Sequence, residues 1–154
     1  MRTNYKKNIG TVSCATMRTQ DLIPAFVDEL RSMRPLHRSH RAELREIEAR
    51  MAQDGYFDSE DADIDLNEFL FDVLNEYAMP YFYFGSHPGD GCDYGYWLSE
   101  EWEEQLEENG GMKVADLAEV PKGFTGDVAQ VSDHGNLTMY RYSRGRAREL
   151  WAIV

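Results

Sequence analysis

The hydrophobic pattern changes period at Pro80, and that switch limits the folds open to this chain more than any other feature of it. Ahead of Pro80, apolar residues recur three and four apart, the spacing of one helix face. Leu22, Ile23, Phe26, Val27 and Leu30 predict a helix over about 20–33, with Pro24 in its first turn and Pro35 barring continuation. Leu44, Ile47 and Met51 predict a second over 39–53, capped by Ser39, supported by a Glu46–Arg50 pair and ended by Gly55. Residues 54–65 read as an acidic loop. Asp65 with Glu68 then reads as the capping box of a third helix, which carries Phe69, Leu70, Val73, Leu74 and Tyr77.

Beyond Pro80 the period falls to two. Tyr81-Phe82-Tyr83-Phe84 is strand-like, Pro88-Gly89-Asp90-Gly91 is rich in turn residues, and Tyr94, Tyr96 and Leu98 alternate with their neighbours, so two strands joined by a hairpin loop are expected. Ser99 is placed to cap a fourth helix, 100–108, anchored by Trp102 and Leu106 and closed by Asn109-Gly110-Gly111. Short antiparallel strands are expected at 126–131, 137–142 and 148–153. The fold class that follows is α+β: N-terminal helices packed on a mostly antiparallel sheet, with a C-terminal β-meander. Residues 1–18, polar and aperiodic, read as a flexible basic arm, and 19–154 as a single domain.

A chain of 154 residues with 42% apolar and 12% aromatic content is built to bury a core, which excludes wholesale disorder. No stretch approaches the ~20 apolar residues of a membrane span, and the N-terminus has no apolar signal core, so a cytoplasmic location is expected. Cys14 and Cys92 form no CxxC and read as two reduced thiols.

Charge is distributed unevenly over this framework. Residues 51–120 hold nineteen Asp and Glu against Lys113 alone, whereas residues 1–50 and 121–154 are net basic within a total of −12. Such a field repels phosphates and membranes and attracts basic partners. Asp65 and Glu68 are explained by capping and Asp90 and Asp93 by the turn, which leaves two acidic pieces without a folding reason. One is Asp58, Glu60, Asp61 and Asp63; the other is Glu100, Glu101, Glu103, Glu104, Glu107 and Glu108. Like charges four apart on a helix weaken it by a few tenths of a kcal/mol each. A row of carboxylates can instead imitate duplex phosphates, about one per 3.4 Å on each strand. Against this stands the plainer reading of a solvated face that maintains solubility.

The first acidic piece also invites a calcium reading through Asp61, Asp63 and Asp65. Leu66 stands where a calcium loop needs Gly, and Asp72 where it needs Glu, so that pattern fails. Arg31, Arg34, Arg38, Arg41 and Arg45, with Lys6 and Lys7, make the N-terminal third basic; neutralisation by the acidic belt, within the fold or across a dimer, is the expectation.

From Tyr77 to Trp102, nine of twenty-six residues are aromatic, but without the cations that a base-stacking groove requires. Within this block, Tyr83-Phe84-Gly85-Ser86-His87-Pro88-Gly89-Asp90-Gly91-Cys92-Asp93-Tyr94-Gly95-Tyr96-Trp97 resembles a segment of small uncharacterised acidic proteins of phages and other mobile elements. The resemblance covers about fifteen residues and implies no activity. It implies a setting, a bacterial or phage cytoplasm, where acidic proteins that disarm DNA-binding defence systems are common.

No GxSxG, HExxH, P-loop or GxGxxG motif is present. The expectation is a non-enzymatic inhibitor that mimics nucleic acid and occupies the basic channel of a host defence or DNA-binding protein. It would act through the two acidic pieces with Trp97 as an apolar anchor, without cofactor, metal, nucleic acid or membrane, and with room for a homodimer. The alternative is a small metal-dependent enzyme using His87, Asp90, Asp93 and His134. His37 and His40, with no third ligand near them in sequence, read as solvated.

Overall fold

The computed structural model describes residues 9–154. Its fold is α+β, in two compact units: one takes the chain up to Ala78 together with Phe82–Trp97, and the other takes Met79–Tyr81 with Leu98–Val154. Residues 1–8 of the expected arm, with Lys6 and Lys7, lie outside the described residues. Residues 10–13 of that arm form a strand.

In the first unit, β1 (Gly10–Ser13) leads to α1 (Thr19–Arg31) and α2 (Arg38–Met51). A 3₁₀ turn, Tyr56–Asp58, precedes an unbroken helical run made of α3 (Glu60–Ile64), a π-helical segment Asp65–Leu70 and α4 (Phe71–Glu76). The hairpin β2 (Phe82–His87) and β3 (Asp90–Leu98) follows, and the sheet order is β1-β3-β2. Phe84, Tyr94 and Tyr96, two apart along their strands, present one face of this sheet. Phe26 of α1 meets that face edge-on, with its centroid 5.0 Å from Phe84, and stands at the same distance from Phe71. Burying each large apolar side chain contributes about 1.5–3 kcal/mol, so this aromatic contact fixes how α1 and α4 sit on the sheet.

Five expectations are corrected here. The acidic loop is helical: Gly55 turns the chain at φ +77°, and Ser59 Oγ accepts from the Ala62 N–H at 3.3 Å to start α3. Asp65 is therefore no cap; it lies mid-run and is buried. Pro24 sits inside α1, beyond its first turn, where the carbonyl left without an N–H donor belongs to exposed Gln20. The cap of α2 is His37, whose Nδ1 accepts from the Ser39 N–H, and Arg50 turns away from Glu46 to pair with Glu43 and Asp65.

In the second unit, α5 (Trp102–Glu108) precedes β4 (Met112–Val114), β5 (Gly126–Val131), β6 (Leu137–Ser143) and β7 (Arg146–Ile153). The strands form one sheet in that order, β5 to β7 as the expected antiparallel meander. The addition is β4, which runs parallel to β5. Leu106, Val114, Val128, Ala129, Met139 and Trp151 form its core, and the Trp151 indole donates to the Pro80 carbonyl at 2.9 Å. Tyr81 holds φ +71°, a conformation that costs an L-residue of its bulk about 1–3 kcal/mol. Its hydroxyl donates to buried Asp127 at 2.8 Å, and Arg141 grips the same carboxylate at two points.

Candidate functional site

Each unit carries one of the acidic pieces, and the physical settings of the two differ. Glu60, Asp61 and Asp63 occupy the first turn of α3, just past the Ser59 cap. Carboxylates there face the positive end of the helix macrodipole and stabilise it by about 0.3–1 kcal/mol each. They are exposed, as is Asp58, and none has a cation partner among the described residues. The fold thus supplies a reason for three of these four acids that the sequence reading lacked.

Asp65, two residues beyond them, has left the acidic surface altogether. It is 6% exposed, takes two charge-assisted bonds of 2.8 Å from Arg50 and accepts the Tyr56 hydroxyl at 2.8 Å. Burial first, and then the bond to this carboxylate, raise the Tyr56 hydroxyl above its ordinary range. Arg50 is in turn held charged, chiefly by its bond to Asp65. A carboxylate committed in this way is no calcium ligand.

On α5 the logic reverses. Trp102 is half-buried and Leu106 buried, which leaves all six glutamates of 100–108 exposed. Glu103 and Glu104 fall in the first turn, and Glu103 pairs with Lys113 at 2.9 Å. Glu107 and Glu108 lie in the last turn, where the macrodipole is negative and no basic residue stands. Each is four residues from another glutamate, Glu103 or Glu104, so both dipole and neighbour oppose it. Among the described residues no cation reaches Glu100, Glu101, Glu104, Glu107 or Glu108. A small cleft of about 220 Å³ opens beside them, lined by Glu103, Leu106, Glu107, Gly111, Met112 and Lys113. Its apolar floor and glutamate rim suit the methylene stem and charged head of an arginine or lysine. Lys113 and Met112 come from β4, the strand the sequence reading missed, so the cleft was not visible in the helix pattern alone.

Trp97, expected as an apolar anchor for a partner, is half-buried on β3. Its indole donates to the Gly85 carbonyl at 3.0 Å, and its ring meets His87 edge-on at 4.6 Å, so it braces the hairpin. His87 Nδ1 accepts from the Gly89 N–H and Asp90 Oδ1 from the Cys92 N–H, which are turn-forming bonds. Asp93 Oδ1 is buried without a partner among the described residues. His134 is exposed in the β5–β6 turn of the second unit. Among the described residues no three His, Cys, Asp or Glu side chains gather to hold a metal ion. Nor is any helix among them long and apolar enough to cross a membrane. His37 and His40 are not merely solvated. The Tyr77 hydroxyl accepts from the His37 N–H at 2.9 Å and lies 3.0 Å from His40 Nδ1, tying α2 to the end of α4.

Comparison with protein-family models, with curated proteins and with solved structures finds no match.

Proposed function

We propose that this protein is a non-enzymatic acidic binding protein, an inhibitor from a phage or mobile element that occupies the basic nucleic-acid channel of a host defence or DNA-binding protein. The observation that carries the reading is the placement of Glu107 and Glu108. They are exposed, without a cation partner among the described residues, and set against both the α5 macrodipole and their own neighbours. Folding gains nothing from them, whereas a cationic groove would relieve both penalties at once. The cleft next to them gives a partner's arginine somewhere to insert, an apolar contact of the kind that concentrates binding energy. The acids of α3 act as a second, weaker charged surface, because their helix already rewards them. Association steered by such fields is fast and falls steeply with salt.

The test is retention of bacterial DNA-binding proteins on the immobilised chain, eluted by salt and challenged with duplex DNA. Retention that is lost in high salt and displaced by the duplex supports occupation of a nucleic-acid channel. Retention indifferent to both removes the basis for mimicry.

A further inference from the structure

The first unit also contains a hollow of the opposite charge. The end of α1, the link after it and α2 border an open hollow of about 360 Å³, lined by Arg31, Arg34, Arg41 and Arg45 over an apolar floor of Leu36 and Leu44, with Glu48 the lining carboxylate. Arg31 is neutralised: it pairs with Asp28 at 3.0 Å and with Glu48, which holds its guanidinium charged. Its partners come from α1 and α2 themselves and not from the acidic middle of the chain.

None of the other three guanidiniums pairs with a carboxylate among the described residues, and backbone carbonyls orient two of them. Arg34 Nη1 donates to the Arg31 and Met33 carbonyls at 2.8 Å, and Arg41 Nη2 to the Leu36 carbonyl at 3.3 Å. Their remaining N–H groups, and the whole Arg45 guanidinium, have no partner among the described residues. Backbone carbonyls that fix Arg34 and Arg41 leave their charge unanswered, so with Arg45 three positive charges line a common space. The first turn of α2 adds to the imbalance, since it contains Arg38 and Arg41 and no acid, against the preference of a helix N-terminus.

We propose that this cavity binds a ligand carrying adjacent phosphate groups, as in pyrophosphate or a nucleoside di- or triphosphate. Arginine forks match phosphate oxygens two at a time, and three un-neutralised guanidiniums supply more positive charge than the roughly two negative charges of a single phosphate group answer. The volume lies within the ~300–1,000 Å³ range of small-molecule sites, and the leucine floor gives a ligand body an apolar seat. A long nucleic acid fits less well, because the total charge of −12 repels an extended polyanion while a small ligand meets mainly the local field.

Isothermal titration calorimetry of the full chain with sodium pyrophosphate and, separately, with ATP tests this at ionic strength matched by KCl. Saturable one-to-one heat from either is expected, with Arg34→Glu and Arg45→Glu each weakening affinity at least about tenfold, the loss of one charged bond. Arg146→Glu/Arg148→Glu, on exposed residues of β7 in the other unit, should leave it unchanged. Equal affinity for the two probes identifies the polyphosphate alone as the ligand; tighter ATP binding shows that the leucine floor reads the nucleoside as well. Absence of saturable heat from both probes, or equal weakening by the β7 control, would overturn the proposal.

Discussion

Arg50 and Asp65 meet in a two-point ion pair, Nε on Oδ2 and Nη2 on Oδ1, each at 2.8 Å. The pair joins α2 to the point where α3 passes into its π-helical segment, and the Tyr56 hydroxyl completes the carboxylate's partners. Removing the guanidinium leaves Asp65 buried with Tyr56 as its remaining donor. Arg50→Ala should therefore destabilise the first unit by about 3–5 kcal/mol, the cost of stranding one member of a buried pair. Tyr56→Phe should cost only about 1 kcal/mol. Urea midpoints at constant m-value check both.

The second unit has a counterpart in Asp127, held by Tyr81 and Arg141. Burial, and then this carboxylate, push the Tyr81 hydroxyl up from 10.0 to about 12, and Tyr56 and Tyr96 shift the same way. A group with a raised folded pKa binds its proton more tightly when folded, so its contribution is complete below the unfolded value and lost as pH rises. Stability should not vary with pH through these tyrosines near neutrality and should fall from about pH 10 upward, the Tyr81 share being lost by about pH 12. Denaturation midpoints between pH 8 and 12 measure this, and Tyr81→Phe should make the slope shallower.

Gly95 is set by a close approach. A Cβ there would stand 2.1 Å from the Gly10 carbonyl oxygen across the β1–β3 pairing. Gly95→Ala should detach β1 from the sheet, at about 1–3 kcal/mol, and leave the β2–β3 hairpin intact. Faster amide exchange confined to residues 10–13 and their β3 partners is the expected signature.

The parts of this architecture legible in the sequence are those whose signal is local. The helical spacing of Leu22 to Leu30, the alternation around Tyr94 and Tyr96, and the turns that bound β5, β6 and β7 all appear in the structure within a few residues. What stayed hidden depends on partners distant in the chain. Asp65 looked like a cap because Glu68 follows it, yet Arg50, fifteen residues earlier, claims its carboxylate. β1 and β4, four and three residues long, are too short for alternation to mark them; β1 exists because Gly95 lets it approach, and β4 because β5 offers an edge. Glu60, Asp61 and Asp63 have a folding reason only once Ser59 is seen to cap a helix whose partners lie elsewhere in the chain. The glutamates of α5 and the C-terminal end of their helix are legible in the sequence, but the cleft beside them depends on β4 and required the fold.

Folding and binding make opposite demands on Glu107 and Glu108. Reversal to Lys places cations at the C-terminal end of α5, which should raise stability by about 0.3–1 kcal/mol per site or leave it unchanged.

The most direct measurement compares the parent chain with Glu107→Lys/Glu108→Lys in retaining DNA-binding proteins from a bacterial lysate at low salt, with urea midpoints recorded for both. An equal or higher midpoint is expected, together with loss of the DNA-displaceable retention. A lower midpoint with retention undiminished would contradict it, because the two glutamates would then serve the fold and not a partner.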